Sequence, residues 1–324
     1  IEWWYATGWL QAPDRPTGVP AYGLQLTFFR MRTGLAQTLP SRFAARQLLF
    51  AHAALTDLAG RRQLQAERIA RWSGDEATPR AAASSADTRV HLRDWRLERS
   101  PISNGSGYAT RIADDAAGFA FTLTLDTTQP LLLQGDAGWS RKGPAVAQAS
   151  HYYSQPQLAV AGELHVDGRM QPVRGQAWLD HEWSESLLDA QAVGWDWIGI
   201  NLFDGGALTA FVLRRADGSA LWAGGSHRAP GAAARVFGPD EVHFAPGRRW
   251  NSAASRAAYP VQWTVQTPLG RYRIDALLDA QELDSRASTG AFYWEGLSEL
   301  RDEAGQRIGL GYLEMTGYAA RLRL

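Results

Sequence analysis

The sequence predicts an all-β protein whose antiparallel strands form barrels or sandwiches. Along the 324 residues, short segments with alternating apolar and polar side chains recur at intervals of roughly ten residues. Turns containing Gly and Asp separate these segments, and few stretches have the periodicity of a helix. A meander of many short strands is typical of a β-barrel or a β-sandwich.

The first half of the chain supplies most of the predicted strands. Residues 118–126 alternate cleanly, whereas residues 47–57 form an apolar run that is interrupted by His52. Asp167-Gly168 is a two-residue hairpin signal between two further strands. In this half we expect strands at residues 1–10, 21–32, 47–57, 90–97, 108–112, 118–126, 131–134, 152–154, 158–166 and 171–179.

Three segments of the first half lack a strand pattern. Residues 61–72 are rich in Arg, Gln, Leu, Glu and Ala, and they favour a short helix. Residues 73–88 have few large apolar side chains, so we expect an exposed loop. Residues 135–149 are Gly-rich and are predicted to form another loop.

The second half repeats the strand pattern after a change in composition. Residues 184–192 are polar and Ala-rich and favour a helical connection, which places a domain boundary near residues 184–194. The predicted domains are residues 1–186 and residues 187–324, each a β domain of roughly eight to ten strands. In the second half we expect strands at residues 195–202, 207–214, 219–224, 242–245, 261–267, 270–277, 290–301 and 309–318.

The charge balance excludes several classes of partner. The chain has 33 basic and 33 acidic residues, and its formal net charge is zero. Because phosphate binding needs a basic surface, we expect no nucleic-acid partner. A polybasic membrane anchor is excluded for the same reason. No run of about 18 apolar residues predicts a transmembrane segment.

Two residue counts bear on compartment and chemistry. The chain contains no cysteine, which excludes disulfides and thiolate catalysis and fits a periplasmic or secreted protein. It starts at Ile1 without an initiator Met, and we expect a signal peptide to precede it. The sole lysine, Lys142, lies in a loop-like Arg-Lys-Gly-Pro setting, and from sequence alone we discount it for Schiff-base chemistry.

Fourteen Trp residues are a high number for this chain length. Large aromatic side chains fill the wide cores of β proteins. They also line pockets that bind apolar ligands. The composition supports both interpretations.

Ionisable and aromatic groups are most concentrated at residues 175–184, where Asp180, His181, Glu182 and Trp183 are consecutive. In an extended strand, His181 and Trp183 share one face, and Asp180 and Glu182 share the other. One metal ion therefore cannot bind the whole cluster, and no His-Glu-x-x-His helix exists elsewhere, so we expect no metal site. We expect His181 and Trp183 to face a cavity, and the carboxyl pair to hold the domains together.

Other polar groups interrupt apolar strands. His52 is either a satisfied core histidine or a functional group, and His181 has the same two interpretations. Trp195 and Trp197 share a face opposite Asp196. Because an unpaired buried carboxylate is costly, acidic groups in such strands meet donors or face a cavity. The remaining groups of this kind are Glu2, Tyr5, Tyr293, Glu295, Tyr312 and Glu314.

Several stretches together carry a family resemblance, in order and across nearly the whole chain. They are residues 2–5 (Glu-Trp-Trp-Tyr), 50–57, 151–154 (His-Tyr-Tyr-Ser), 175–183 with Asp-His-Glu-Trp, 194–202, 293–296 (Tyr-Trp-Glu-Gly) and 309–318. With these stretches the chain resembles the carotenoid hydratase / AttH family of tandem lipocalin-like proteins, often described as secreted hydrolases. The resemblance implies two lipocalin-like antiparallel β-barrels packed side by side, with a cavity near their interface for a lipophilic small molecule. Relatives hydrate an isoprenoid double bond or fold a substrate for cyclisation.

The resemblance also implies roles for individual residues. Asp196 or Glu182 would be the acid and His181 the base that orients water, with Asp180 as a further catalytic candidate. Aromatic faces would attract a carbocation. The candidate ligand-binding residues are Trp4, His52, Tyr152, Trp183, Trp195, Trp197, Tyr293, Glu295 and Tyr312. No cofactor is expected.

Three functions remain open on the sequence. The first is an enzyme acting on lipophilic substrates as a hydratase, isomerase or hydrolase. The second is a non-catalytic carrier or scaffold in the cell envelope, in association with a transporter. The third is a sugar-binding protein, because Trp platforms with carboxylates also suit sugars in an open groove.

Overall fold

The computed structural model describes residues 1–16, 18–41, 43–77, 80–103, 105–185 and 188–322. Within these ranges the regular elements are 25 β-strands, and no α-helix is present. None of the described residues therefore belongs to a helix that could cross a membrane. The all-β prediction is confirmed.

The first sheet contains thirteen strands. They are β1 (Glu2–Gln11), β2 (Tyr22–Arg32), β3 (Gln47–Asp57), β4 (Arg62–Trp72), β5 (Ala81–Ala83), β6 (Arg89–Leu92), β7 (Trp95–Ile102), β8 (Gly105–Asp114), β9 (Phe119–Asp126), β10 (Leu132–Leu133), β11 (Trp139–Arg141), β12 (Ala149–Val166) and β13 (Arg169–Trp183). The main order is β4-β3-β2-β1-β13-β12-β9-β8-β7-β6-β5, and β10 and β11 pair with β12. Because β4 packs against β5, the sheet is nearly closed.

The second sheet contains ten strands, and a separate two-stranded ladder lies beside it. The strands of this half are β14 (Gly194–Leu202), β15 (Ala207–Arg214), β16 (Ala220–Arg228), β17 (Arg235–Phe237), β18 (His243–Pro246), β19 (Arg249–Asn251), β20 (Ala258–Pro260), β21 (Gln262–Thr267), β22 (Gly270–Ala276), β23 (Glu282–Ser285), β24 (Ala291–Arg301) and β25 (Arg307–Met315). The order is β17-β16-β15-β14-β25-β24-β22-β21-β18, with β23 beside β24 and β19 paired with β20.

Each sheet wraps its own apolar core. The first sheet is a nearly closed barrel, and the second is a large antiparallel sheet that we call the second barrel. The first core includes Trp4 and Leu179, and the second includes Ile198 and Trp294. A third cluster lies between the barrels and is built by the strand residues that point away from both cores, Trp178 among them. Along β1, β13, β14, β15, β24 and β25, alternate side chains therefore point into a barrel core and into the layer between the barrels.

The β12–β13 hairpin was predicted correctly at its turn. Asp167 and Gly168 both have positive φ, 54° and 71°, as a type I′ turn requires. Earlier in β12, the register shifts at a bulge that includes Gln157, whose φ is 57°. The bulge turns the backbone N–H of Gln157 toward the second barrel, where it donates to Asn201 Oδ1 at 2.9 Å. This irregular point of the strand is therefore one of the links between the barrels.

Several local expectations were wrong. Residues 61–72 form strand β4 instead of a helix, because pairing with β3 from end to end outweighs the intrinsic helix preference of these side chains. The predicted exposed loop 73–88 contains the buried strand β5, and the loop 135–149 contains β11. The described residues of 184–192 form no helix. The first sheet also exceeds eight to ten strands, because β4 was expected as a helix and because β5 and β11 are too short to show a pattern in the sequence.

The predicted domain division at residues 186 and 187 lies outside the described residues. The first sheet ends at Trp183 and the second begins at Gly194. This change of sheet falls in the segment 184–194 in which the boundary was expected.

Candidate functional site: an acid-lined cavity between the barrels

A cavity opens in the layer between the two barrels. It contains about 750 Å³ free of protein atoms, a volume that includes open space at its mouth. Strands β1, β2, β12 and β13 line it from the first barrel, and β14, β15, β24 and β25 line it from the second. The lining consists of aromatic and aliphatic side chains (Ile1, Trp3, Tyr5, Phe29, Tyr152, Leu188, Trp195, Trp197, Phe211 and Leu213), four carboxyl groups (Asp180, Glu182, Glu295 and Glu314), Thr27 and Lys142.

Asp180 is the most fully hydrogen-bonded acid of the cavity. Its Oδ1 accepts from Ser154 Oγ at 2.5 Å and from Trp178 Nε1 at 2.7 Å. Its Oδ2 accepts from the Tyr152 hydroxyl at 2.9 Å, and Trp197 Nε1 donates to that hydroxyl at 3.2 Å. Burial raises the pKa of Asp180 to about 7, and the three donors limit the rise. Asp180 therefore exchanges a proton near neutral pH.

Glu182 lies two residues along β13 on the same face. Its Oε1 lies 3.1 Å from Lys142 Nζ and also accepts a hydrogen bond from Ser150 Oγ. Both partners of this ion pair are buried in the first-barrel wall. Removal of either partner would leave an uncompensated charge.

Glu295 and Glu314 form the acidic part of the second-barrel wall. They are directly opposite each other on the paired strands β24 and β25. Burial raises the pKa of Glu295 well above its ordinary value, and repulsion by Glu314 adds to the shift. Burial also raises the pKa of Glu314 to about 8, although a hydrogen bond from Trp195 opposes the rise. Two buried carboxyl groups that are opposite each other on paired strands cannot both ionise without strong repulsion, so the pair retains a proton at neutral pH.

The expected orientation of the Asp180–Trp183 cluster was wrong, although the split into two pairs was correct. Asp180 and Glu182 face the cavity, whereas His181 points into the first barrel and stacks on Trp4, with ring centroids 4.9 Å apart. The direct hydrogen-bond partners described for the carboxyl pair lie in the first barrel, and a link to the second barrel runs through the Tyr152 hydroxyl, which accepts from Trp197 Nε1. Asp180 and Glu182 face the cavity because they continue, with Trp178, the face of β13 that packs against the second barrel.

His181 instead belongs to a polar group at the end of the first barrel. Its Nε2 lies 2.9 Å from Glu2 Oε1, and its Nδ1 lies 3.0 Å from the Tyr153 hydroxyl. Trp183 is 38% exposed and stacks on His151 at the surface. His181 and Trp183 thus share a face, as expected, but that face does not line the cavity.

Asp196 also lies away from the cavity. It points into the second barrel, where Arg214 Nε lies 2.7 Å from its Oδ2 and Tyr318 donates to its Oδ1 at 3.0 Å. Burial raises the pKa of Asp196 to about 6, and Arg214 opposes this shift. The alternation predicted for this strand is confirmed, since Trp195 and Trp197 line the cavity on the opposite face.

His52 and Tyr293 meet across the two barrels. His52 Nδ1 lies 2.6 Å from the Tyr293 hydroxyl, and its Nε2 lies 2.8 Å from Ser288 Oγ, which donates onward to Glu67. Burial lowers the pKa of His52 to about 3, so this histidine is neutral. Tyr312 is also buried in the layer between the barrels. These three predicted ligand-binding residues, His52, Tyr293 and Tyr312, are therefore interface residues next to the cavity lining.

The lining residues that sequence reasoning missed include one amine, Lys142, and one carboxyl group, Glu314. Lys142 was discounted because its segment lacks a strand pattern, yet β11 pairs with β12 and carries the lysine to the cavity wall. Glu314 was noted as a polar group in an apolar strand but was not selected as a site residue. The signal available in the sequence was the position of Glu314 two residues after Tyr312, because residues i and i+2 of a strand share a face. Among the described residues, no three His, Asp or Glu side chains converge as a metal-binding group.

The fold and the cavity define a class: all-β proteins in which an acid-lined cavity lies between two antiparallel β domains. The chain belongs to the AttH-like family, whose model matches residues 1–318. The AttH resemblance inferred from the sequence is confirmed.

Solved structures share this architecture. A protein from Nitrosomonas europaea that is described as an AttH has 46% sequence identity and a TM-score of 0.87, over 98% of this chain and 92% of that chain. Kievitone hydratase from Nectria haematococca has the same fold at 16% identity, with a TM-score of 0.72 over 98% and 89% of the two chains. CghA with Sch210972 matches at 11% identity and a TM-score of 0.54, over 97% and 88%. No curated protein sequence matches the chain.

Proposed function

We propose that the chain binds an apolar molecule between its barrels and catalyses the addition of water to a carbon–carbon double bond of that molecule. The observation that carries this proposal is the Glu295–Glu314 pair, which retains a proton inside a cavity with aromatic walls. Alkenes are weak bases, so their hydration needs an acid that stays protonated at neutral pH in a dry site.

The proposed reaction begins with proton transfer from the Glu295–Glu314 pair to one alkene carbon. The π electrons form the new C–H bond, and the neighbouring carbon becomes a cation. A water oxygen then bonds to that cation, and a carboxylate removes the surplus proton to leave a neutral alcohol. Asp180 suits this last step, because its pKa of about 7 makes it partly ionised at neutral pH. Solvent exchange then restores the starting protonation.

The walls of the cavity support the same chemistry. Trp195, Trp197 and Tyr152 present aromatic rings to the cavity. A desolvated cation over such a face is stabilised by about 0.5–2 kcal/mol per ring. In this proposal His181 and Asp196 act indirectly, through the barrels that position the walls, because neither side chain lines the cavity.

The named relatives are compatible with this proposal. Kievitone hydratase is named for a hydration reaction, and CghA was solved with a small molecule. The cavity does not favour the sugar-binding alternative, because sugar binding needs an open groove and the acids lie between the two barrels.

The test is turnover of a set of isoprenoid alkenes in water enriched in ¹⁸O, followed by mass spectrometry of the alcohols. Wild-type protein is expected to incorporate ¹⁸O. Glu314→Gln and Glu295→Gln are expected to lower the rate by about 10²–10⁴-fold, the usual contribution of a general acid. Glu98→Gln, an exposed acid of the first barrel, is the matched control and should retain the rate. Product formation unchanged in both cavity variants would contradict the proposal.

A second candidate function is a carrier for lipophilic ligands, favoured by the largely apolar lining of the cavity. A carrier would release a co-purified isoprenoid or lipid unchanged, and the Glu295 and Glu314 variants would alter affinity without any product. A periplasmic or secreted location and association with an envelope transporter belong to this proposal as well. Cell fractionation and cross-linking in the native organism would test them.

A further inference from the structure

Lys142 is an unusual residue in this protein. It is the only lysine among the 33 basic residues, so every other basic position is an arginine. It is also 7% exposed, and it lines the cavity between the barrels. A chain that uses arginine everywhere else has placed its one primary side-chain amine in the candidate site.

The contacts of the lysine hold its amino group at the cavity wall. Its Nζ lies 3.1 Å from Glu182 Oε1 and donates to Ser140 Oγ at 3.1 Å. The same atom lies over the rings of Tyr152 and Phe211, 4.6 Å and 4.4 Å from their centroids. The amine therefore has one anionic partner, one hydroxyl partner and two aromatic faces.

An ion pair with Glu182 does not by itself explain a lysine. Arginine forms buried ion pairs with more hydrogen bonds and stacks well on aromatic rings. Lysine differs from arginine in one chemical property that matters here: its amine loses a proton readily enough to act as a nucleophile. The Lys142 amine lies in a cavity that also contains the Glu295–Glu314 pair, which retains a proton, and Asp180, which can accept one.

We propose that Lys142 captures an apolar aldehyde or ketone as a reversible Schiff base, with Glu182 as the counterion. The proposal rests on the lipophilic cavity of the proposed function and names the class of molecule it takes. In an α,β-unsaturated carbonyl compound the iminium ion withdraws electrons from the conjugated double bond, so that water adds to the β-carbon before a proton adds to the α-carbon.

The bond changes balance without an oxidant or reductant. Glu182 takes one proton from the ammonium group, and the free amine forms a C–N bond to the carbonyl carbon while the C=O π electrons move to oxygen. Asp180, which holds a proton over part of the neutral range, protonates that oxygen and then takes the second proton from the nitrogen. Glu182 gives its proton to the hydroxyl group, which leaves as water while the nitrogen lone pair forms the C=N bond, and a protonated imine remains beside the ionised Glu182. Addition of water reverses every step.

Citral, a ten-carbon unsaturated aldehyde, is a suitable probe, and geraniol is the matching alcohol that cannot condense. The full chain is incubated with each probe, treated with cyanoborohydride, and digested for peptide mapping by mass spectrometry. Wild-type protein is expected to carry one citral skeleton on Lys142, and peptide mapping separates this site from the amine at the N-terminus. Lys142→Arg keeps the positive charge and should lower total labelling by about tenfold or more.

Binding is measured separately through quenching of Trp fluorescence by both probes. If both probes bind but no adduct forms on Lys142, the Schiff-base proposal is overturned and the cavity of the proposed function stands. If neither probe binds, both proposals fail. The adduct on the wild-type chain decides the result, so the test does not depend on whether Lys142→Arg folds. Lys142→Met provides a second variant that cannot form the adduct.

Discussion

The two walls of the cavity hold their carboxyl groups in opposite ways. On the first-barrel wall, Asp180 accepts three hydrogen bonds and Glu182 is paired with Lys142. On the second-barrel wall, Glu295 and Glu314 face each other, and within the described structure Glu295 Oε2 has no hydrogen-bond partner. On the first wall, hydrogen-bond donors and Lys142 are the partners of the carboxyl groups. On the second wall, the carboxyl pair avoids two adjacent negative charges by retaining a proton.

This difference separates structural from chemical use of buried acids. A carboxyl group surrounded by donors stabilises the fold and is costly to remove. A buried carboxyl pair with few donors costs stability once both groups ionise, and natural proteins keep such groups mainly where they act. The comparison predicts that substitutions on the two walls will change stability in opposite directions.

The largest expected effect is on the first wall. Asp180→Ala leaves the hydroxyls of Ser154 and Tyr152 and the Trp178 Nε1–H without their acceptor in a buried site. We expect a loss of about 3–5 kcal/mol in the free energy of unfolding, measured by denaturant titration. Asp180→Asn keeps one acceptor and should lose less. Glu295→Gln is the matched change on the other wall, and an equal loss there would break the comparison.

The next effect concerns the contact between the barrels. His52→Ala removes the partner of Tyr293 and Ser288, and we expect a loss of about 2–3 kcal/mol. Tyr293→Phe should lose about 1 kcal/mol, and a double-mutant cycle should show that the two changes are coupled. Additive losses would mean that this hydrogen bond does not contribute to stability.

The same histidine has a pH signature of defined sign. The pKa of His52 falls from 6.5 to about 3 on folding, because burial disfavours its charged form. Between these values the unfolded chain binds a proton that the folded chain excludes. His52 therefore lowers stability as the pH falls from 6.5 toward 3, and thermal unfolding of His52→Gln should show a weaker acid dependence than wild type.

A smaller effect of the opposite sign is expected on the second wall. The ordinary pKa of Glu314 is 4.5, and burial raises it to about 8 in the folded chain. Between these values the folded chain holds a proton that the unfolded chain has released, so stability is greatest below this window and falls as the pH rises through it. Glu314→Gln should therefore gain about 1–2 kcal/mol relative to wild type between pH 5 and pH 8, seen as a few degrees in Tm. Glu98→Gln should show no such relative gain.

The smallest expected effect is at Trp183. Because this side chain is 38% exposed and faces away from the cavity, Trp183→Ala should cost no more than about 1 kcal/mol and should leave ligand affinity unchanged. Trp197→Ala is the matched change on a cavity wall. A larger loss of ligand binding in Trp183→Ala than in Trp197→Ala would mean that the outer face of β13 carries the site.

Local pattern in the sequence determined much of the molecule. Alternation of side chains and the spacing of turns predicted the all-β class, most of the long strands and the Asp167-Gly168 hairpin. Alternation also separated Asp180 and Glu182 from His181 and Trp183, and Trp195 and Trp197 from Asp196. These features depend on neighbours within a few residues, which is the range that a period of two residues covers.

Only the tertiary structure decided which face of each strand meets which layer. A period of two residues relates neighbouring side chains but does not say which set points into a barrel and which toward the other barrel. Here β13 pairs with β1 and packs its Asp180 face against the second barrel, which reverses the expected orientation. Likewise, the cross-strand pairing of Glu295 with Glu314 and the placement of Lys142 beside Glu182 join residues that are distant in sequence. The acids of the cavity were therefore visible in the sequence, but their partners, and with them their protonation, depend on the packing of the two barrels.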